Sequence, residues 1–169
     1  MTNFFMFPSI TSFTPNNSPP GSRVGITGQQ FTGATAVSFN GIPAASFIVS
    51  NNTAIGAVVP NGVITGPISV TTPAGTATSA AIFIGTPSIA SFTPTHGLPG
   101  TSVTITGTNF TAATAVRFNG SNAASFAIQD NGVITAVVRS NATTGLISVV
   151  GPAGTNASAT PSSRRCAFR

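Results

Sequence analysis

From Pro8 onward the chain is written in short runs of alternating apolar and polar residues, broken at regular intervals by turn residues. Val24 and Ile26 alternate with Arg23, Gly25 and Thr27, the period-two pattern of a strand with one buried face. Val37 and Phe39 repeat the pattern, as do Ala45, Phe47 and Val49, then Ile55, Ala57 and Val59, then Ile68 and Val70. Ile10 and Phe13 open the series, and a last strand is expected over about Ala80–Ile84. Between these runs lie Asn16–Gly21, Asn40-Gly41, Asn51-Asn52, Pro60-Asn61-Gly62 and Pro73-Ala74-Gly75. Proline cannot donate to a ladder, and Asn-Gly favours the positive φ angles of a tight hairpin. The pattern predicts about seven strands and no helix of note, an all-β sandwich.

The whole pattern then recurs. Pro8–Pro15 reads Pro-Ser-Ile-Thr-Ser-Phe-Thr-Pro, and Pro87–Pro94 reads Pro-Ser-Ile-Ala-Ser-Phe-Thr-Pro. Laid on residues 87–159 without a gap, residues 8–80 give about 42 identities in 73 pairs. A 79-residue offset is longer than a solenoid repeat and suits two domains with separate cores. The inward set expected of the second copy is Ile89, Phe92, Val103, Ile105, Phe110, Val116, Phe118, Phe126, Ile128, Ile134, Ala136, Val138, Ile147 and Val149. Domain one is expected at 8–86 and domain two at 87–160, preceded by an apolar segment 1–7 and followed by an Arg-rich tail 161–169. The junction Gly85-Thr86-Pro87 is too short for a flexible linker.

These residues resemble the IPT/TIG family of immunoglobulin-like domains. The resemblance rests on Pro-x-Ile-x-x-Phe-x-Pro (Pro8–Pro15, Pro87–Pro94) and on Pro-Gly-(Ser/Thr)-x-Val-x-Ile-x-Gly-x-x-Phe at Pro20–Phe31 and Pro99–Phe110. Ala-x-x-Val-x-Phe-Asn-Gly (Ala34–Gly41, Ala113–Gly120) and Pro-Ala-Gly-Thr (Pro73–Thr76, Pro152–Thr155) complete it. It implies two tandem immunoglobulin-like β-sandwich domains. Similar domains occur in bacterial surface proteins, in accessory modules of sugar-processing enzymes, in receptor ectodomains and in dimerising transcription factors, so the fold does not choose the function.

The two copies part company at their ends. The first closes with Ala81-Ile82-Phe83-Ile84; the second has Thr160-Pro161-Ser162-Ser163 at those positions, then Arg164-Arg165. An immunoglobulin-like sandwich without its closing strand exposes a sheet edge and a stripe of core. The segment Thr2-Asn3-Phe4-Phe5-Met6-Phe7 stands before Pro8 as Ala81–Thr86 stands before Pro87, with Phe4 and Phe5 aligned on Phe83 and Ile84. Three readings follow. Phe4, Phe5, Met6 and Phe7 complete domain two of a neighbouring subunit, a strand donation that propagates head-to-tail. Alternatively they pack on domain one while the tail stays disordered, or Ser162–Arg169 reflects a frame error that hides a normal strand.

Composition narrows the chemistry. Of the 169 residues, 41% are hydrophobic and only 4% charged, with Asp130 the single acid. The six bases are Arg23, Arg117, Arg139, Arg164, Arg165 and Arg169, three of them in the tail and the others scattered. Nucleic-acid surfaces cluster such residues on one face, so no nucleic-acid partner is expected. Weak charge repulsion favours self-association. Paired-carboxylate catalysis is impossible with one acid. His96 and Asp130 sit in different turns with no nucleophile elbow, so no catalytic residue is assigned and the chain is read as no enzyme. No cofactor or metal is expected, because the ligand types are missing. Cys166 is alone and allows no intrachain disulfide. The apolar start lacks a basic region and does not read as an intact secretion signal; no apolar run approaches membrane-helix length, so no insertion is expected. Six Asn-x-Ser/Thr sequons begin at Asn16, Asn51, Asn109, Asn119, Asn141 and Asn156.

Two functions fit. One is a structural subunit of an extracellular or cell-surface fibre whose partner is another copy of itself. The other is an adhesin-type module of a larger surface protein, binding other surface proteins or glycans.

Overall fold

The computed structural model describes residues 6–159. The chain divides between Gly85 and Thr86 into two compact modules, each with its own core. The described residues contain strands, turns and no helix, so none is long and apolar enough to cross a membrane.

In the first module the strands are β1 (Ser9–Thr14), β2 (Arg23–Gln29), β3 (Ala36–Phe39), β4 (Ile42–Pro43), β5 (Ser46–Asn51), β6 (Ala54–Val58), β7 (Gly66–Thr72) and β8 (Gly75–Phe83). They form two four-stranded antiparallel sheets, β1-β2-β6-β5 and β4-β3-β7-β8. Strict alternation in β2 buries Val24, Ile26 and Gly28 while Arg23, Gly25, Thr27 and Gln29 face out. Register keeps that face continuous, because Val24 opposes Ala57 and Ile26 opposes Ile55. From the other sheet Val37, Phe39, Ile68 and Val70 fill the same space, with Phe31 between. The expected Asn-Gly hairpin joins β3 to β4, with φ of 46° at Asn40 and 83° at Gly41.

The second module repeats the arrangement with β9 (Ser88–Thr93), β10 (Ser102–Thr108), β11 (Ala115–Phe118), β12 (Ser121–Asn122), β13 (Ser125–Ile128), β14 (Val133–Val137), β15 (Ile147–Gly151) and β16 (Gly154–Ala157). Its sheets are β9-β10-β14-β13 and β12-β11-β15-β16. Among the described residues each module therefore has eight strands. The added one is the two-residue strand after each Asn-Gly turn.

The inward set holds with two corrections. Ile128 and Ala45 are exposed, and Ala44 rather than Ala45 packs on the first core. Ala45 precedes the first paired residue of β5, and its backbone N–H reaches Val58 O, turning its side chain out. Val49, the counterpart of Ile128, still packs on its core.

The main difference between the modules lies in the closing strand. β8 has nine residues; it pairs with β7 from Thr72–Gly75 to Ser69–Thr78, bulges, and pairs again at Pro67–Ile82 and Gly66–Phe83. The bulge is held by Ser79, whose Oγ accepts from Ile68 N–H at 2.9 Å and donates to Ala81 O at 2.7 Å. Beyond it Ile84 forms a parallel bridge with Asn17, and its N–H donates to Asn16 O, linking the closing strand to the opposite sheet. β16 has four residues, and Ser158 Oγ accepts from Ile147 N–H in the place of Ser79.

Candidate functional site

Phe83 is the keystone of the first module. Its ring is fully buried, 5.0 Å from Phe39 in an edge-on arrangement at 72°, and 6.4 Å from Phe13. Both distances fall in the favourable range for aromatic pairs. In the second module the counterparts of Phe13 and Phe39 are Phe92 and Phe118. They line an open cleft together with Val103, Val138 and Ile147, counterparts of Val24, Val59 and Ile68. Pro94, Thr95, His96, Gly97, Thr143 and Gly145 surround its mouth. The space they enclose is about 20 Å³, about the room a single water needs.

Exposure around the cleft carries the same message. Val24, Val59, Ile68 and Phe39 are each 0% exposed in the first module, whereas Val103, Val138, Ile147 and Phe118 are 4%, 2%, 3% and 6% exposed. Phe13 is buried and Phe92 only half-buried. Away from the cleft Phe110, Ile105, Ile134 and Val149 are 0% exposed, as tightly covered as Phe31, Ile26, Ile55 and Val70. Val103, Val138, Ile147 and Phe118 nonetheless remain buried, and of the five apolar lining residues only Phe92 is half-buried. A neighbouring groove of about 260 Å³ runs between Ile89–Phe92 and Ser158–Ala159; Phe92 and Thr95 line both spaces.

Of the four expected assembly residues, Phe4 and Phe5 lie outside the described residues. So do Thr160–Arg169, including Arg164, Arg165, Arg169 and Cys166. Met6 and Phe7 are described, and they lie on the first module. Gln30 Nε2 donates to Met6 Sδ at 3.7 Å, and the Phe7 ring sits 2.9 Å from where a Cβ on Gly75 would stand. Both remain largely exposed there, Phe7 at 71%. The second module holds Thr86, the counterpart of Phe7, in the same place. Asn109 Nδ2 donates to Thr86 O at 2.9 Å, and Thr86 Oγ1 donates to Ala153 O at 3.1 Å. Each module therefore receives the residues just before its opening proline on the same patch.

The sequence candidates for chemistry remain apart in their roles. His96 is exposed at the mouth of the cleft. The Asp130 carboxylate accepts from Gly132 N–H at 2.6 Å within its own turn. Arg117 Nε donates to Asn122 Oδ1 at 3.1 Å. Among the described residues no three His, Cys, Asp or Glu side chains gather where a metal could bind. Of the sequon asparagines, Asn109 is buried and bonded to Thr86, which leaves it unavailable to a glycan. Sequence reasoning did not find the cleft as a cavity; its one signal was Ser162 standing at the repeat position of Phe83.

No curated protein matches the chain. Among solved structures it is similar to SGBP-B from a complex xyloglucan utilization locus in Bacteroides uniformis, at 20% identity over 93% of this chain and 49% of that one, with a TM-score of 0.43. It is also similar to the surface glycan-binding protein PbSGBP-B from Prevotella bryantii, at 17% identity over 92% of this chain and 42% of that one, TM-score 0.44. The plexin A4 extracellular region matches at 21% identity over 92% of this chain and 18% of that one, TM-score 0.43. The chain spans about half or less of each of these structures. The IPT/TIG domain model matches twice, over residues 8–83 and 87–163. With two such matches spanning nearly its whole length, and two antiparallel sandwiches to go with them, the chain belongs to the IPT/TIG domain family.

Proposed function

We propose that this chain is a non-catalytic structural subunit of an extracellular or cell-surface fibre. It assembles head-to-tail by donating its N-terminal strand, residues 2–7, to the second module of a neighbour. The observation that supports the reading is the small cleft lined by Phe92 and Phe118, whose counterparts Phe13 and Phe39 pack on Phe83 in the first module. Apolar surface such as that of the half-buried Phe92 is unfavourable in water at roughly 25 cal/mol per Å². A strand that brings a large apolar side chain removes that cost and extends the sheet at the same time.

Residues 2–7 have the composition for it, with three Phe and one Met in six positions. Met6 and Phe7 sit on the first module as Thr86 sits on the second, so the chain enters both modules by the same path. That path is the one by which Phe83-Ile84 leads out of a completed sandwich into the next module. A contact between the start of one chain and the second module of another is heterologous and does not close on itself, which gives filaments.

Electron microscopy of the intact chain beside a version lacking residues 1–7 tests this. Filaments from the intact chain alone are expected. Single particles from both would overturn the reading and favour a binding module of a larger surface protein, with glycans or other proteins as partners.

A further inference from the structure

The chain contains four Asn-Gly dipeptides, beginning at Asn40, Asn61, Asn119 and Asn131. An asparagine before glycine is prone to spontaneous deamidation, because the glycine nitrogen attacks the asparagine Cγ and no Cβ hinders its approach. We infer that Asn61 is a site of this modification in the folded protein, and that the fold protects Asn40, Asn119 and Asn131. The modification does not depend on strand donation.

Water is the only co-reactant. Gly62 N gives its proton to solvent and forms a bond to Asn61 Cγ; the Cγ–Nδ2 bond breaks and the nitrogen leaves as ammonia. The succinimide ring that results adds water at either carbonyl. Breaking the bond from Gly62 N to Cγ leaves an aspartate. Breaking the bond from Gly62 N to the main-chain carbonyl carbon leaves an isoaspartyl link, with the chain running through Cβ and Cγ. Side-chain amide and glycine N–H must both be free to turn, so any hydrogen bond that holds either one has to open first.

Three of the four dipeptides are held. Asn40 and Asn119 sit in the two hairpins at φ of 46° and 47°. Asn40 Nδ2 donates to Thr65 O at 3.2 Å and its N–H to Pro67 O at 2.7 Å. Asn119 Nδ2 donates to Thr143 Oγ1 at 2.8 Å and its N–H to Leu146 O at 2.8 Å. Each side chain also lies against a glycine, Gly66 or Gly145, with no room for a Cβ between them. Asn131 is restrained at both reacting groups. Its Oδ1 accepts from Thr111 Oγ1 at 2.8 Å and from Thr111 N–H at 3.4 Å, and the Gly132 N–H donates to the Asp130 carboxylate at 2.6 Å.

Asn61 has none of these restraints. It is exposed in the turn that follows β6, and among the described residues neither its side chain nor the Gly62 N–H has a hydrogen-bond partner. The positive φ of that turn, 71°, falls on Gly62, and a Cβ there would meet nothing within 4 Å. The second module has Ser140-Asn141 at the equivalent positions and carries no such site. The product gives the first module, which has no acid, a carboxylate, in a chain whose single acid is Asp130.

Incubating the full chain in heavy-oxygen water in mildly alkaline buffer tests this, with each Asn-Gly peptide followed by mass spectrometry. The oxygen that enters marks the site. Label at Asn61 is expected to accumulate at least roughly tenfold faster than at the other three, the factor that opening one or two hydrogen bonds imposes. In concentrated urea, where the restraints are gone, the four sites are expected to react within about threefold of one another. Thr111→Ala is expected to raise the rate at Asn131, and no rise in a folded variant overturns the restraint assigned to Thr111. Asn61→Ser is expected to remove the first acidic species seen by isoelectric focusing. Label at Asn40, Asn119 or Asn131 as fast as at Asn61 in the folded chain overturns the inference, as does an Asn61 that reacts in urea and not in the folded chain.

Discussion

At the scale of single residues, two glycines on one strand separate what the fold requires from what it tolerates. A Cβ on Gly28 of β2 would stand 2.0 Å from Ser9 O and 2.4 Å from the tip of Phe31. Its counterpart Gly107 is as crowded, by Ser88 O and Phe110. Gly25, three positions earlier, faces out, and a Cβ there would meet only Thr14 O at 3.7 Å. The second module carries Thr104 at that position. Gly28→Ala is therefore expected to destabilise the first module by at least about 3 kcal/mol, since backbone must move. Gly25→Ala is expected to be neutral or to stabilise by up to about 0.5–1 kcal/mol, because glycine in a strand loses the most conformational freedom. Urea unfolding of the two variants checks both signs. Phe83→Ala is the third residue-scale test. It would remove the ring against which Phe13 and Phe39 pack, at a cost of about 3–5 kcal/mol for a buried Phe. A loss below about 1 kcal/mol in the same assay would mean Phe83 is no keystone.

At the scale of elements, the strands that were legible are those with large apolar residues at period two, such as Val24 and Ile26 or Ile68 and Val70. The Asn-Gly turns were legible because both residues adopt positive φ, a demand few other pairs meet. β8 was read only from about Ala80, whereas it begins at Gly75. Its first half, Thr76-Ala77-Thr78-Ser79, has no large side chain to mark a face, and it is a strand because β7 offers an edge to pair with. Ile128 misled for the converse reason. Alternation placed it inward, yet it ends β13 at the sheet edge, where the core no longer reaches. The bulge in β8 was not visible in the alternation either. Its support is Ser79, whose hydroxyl satisfies both Ile68 N–H and Ala81 O in a buried position. Ser79→Ala leaves both groups to find other partners and is expected to cost about 1–3 kcal/mol, read as a lower unfolding midpoint with an unchanged slope. An unchanged midpoint would show that the bulge is held by β7 pairing alone.

At the scale of the whole molecule, the scarcity of charge makes the proposed assembly testable by salt. Among the described residues the ionic groups are Arg23, Arg117, Arg139 and Asp130, with His96 beside them, and all five are exposed. None lies within the apolar lining of the cleft except His96, at its mouth. An interface made by strand donation beside Phe92 draws on burial of apolar surface, which ordinary salt does not screen and which sulfate strengthens. An interface made by the arginines would draw on exposed charge, which is screened beyond about 8 Å at physiological ionic strength. The two predict opposite responses. Strand donation predicts assembly that persists from about 50 mM to about 500 mM sodium chloride and needs less protein in sulfate. Sedimentation velocity across that series measures it directly. Oligomers that dissolve as salt rises would trace the association to the arginines and remove the cleft from the interface.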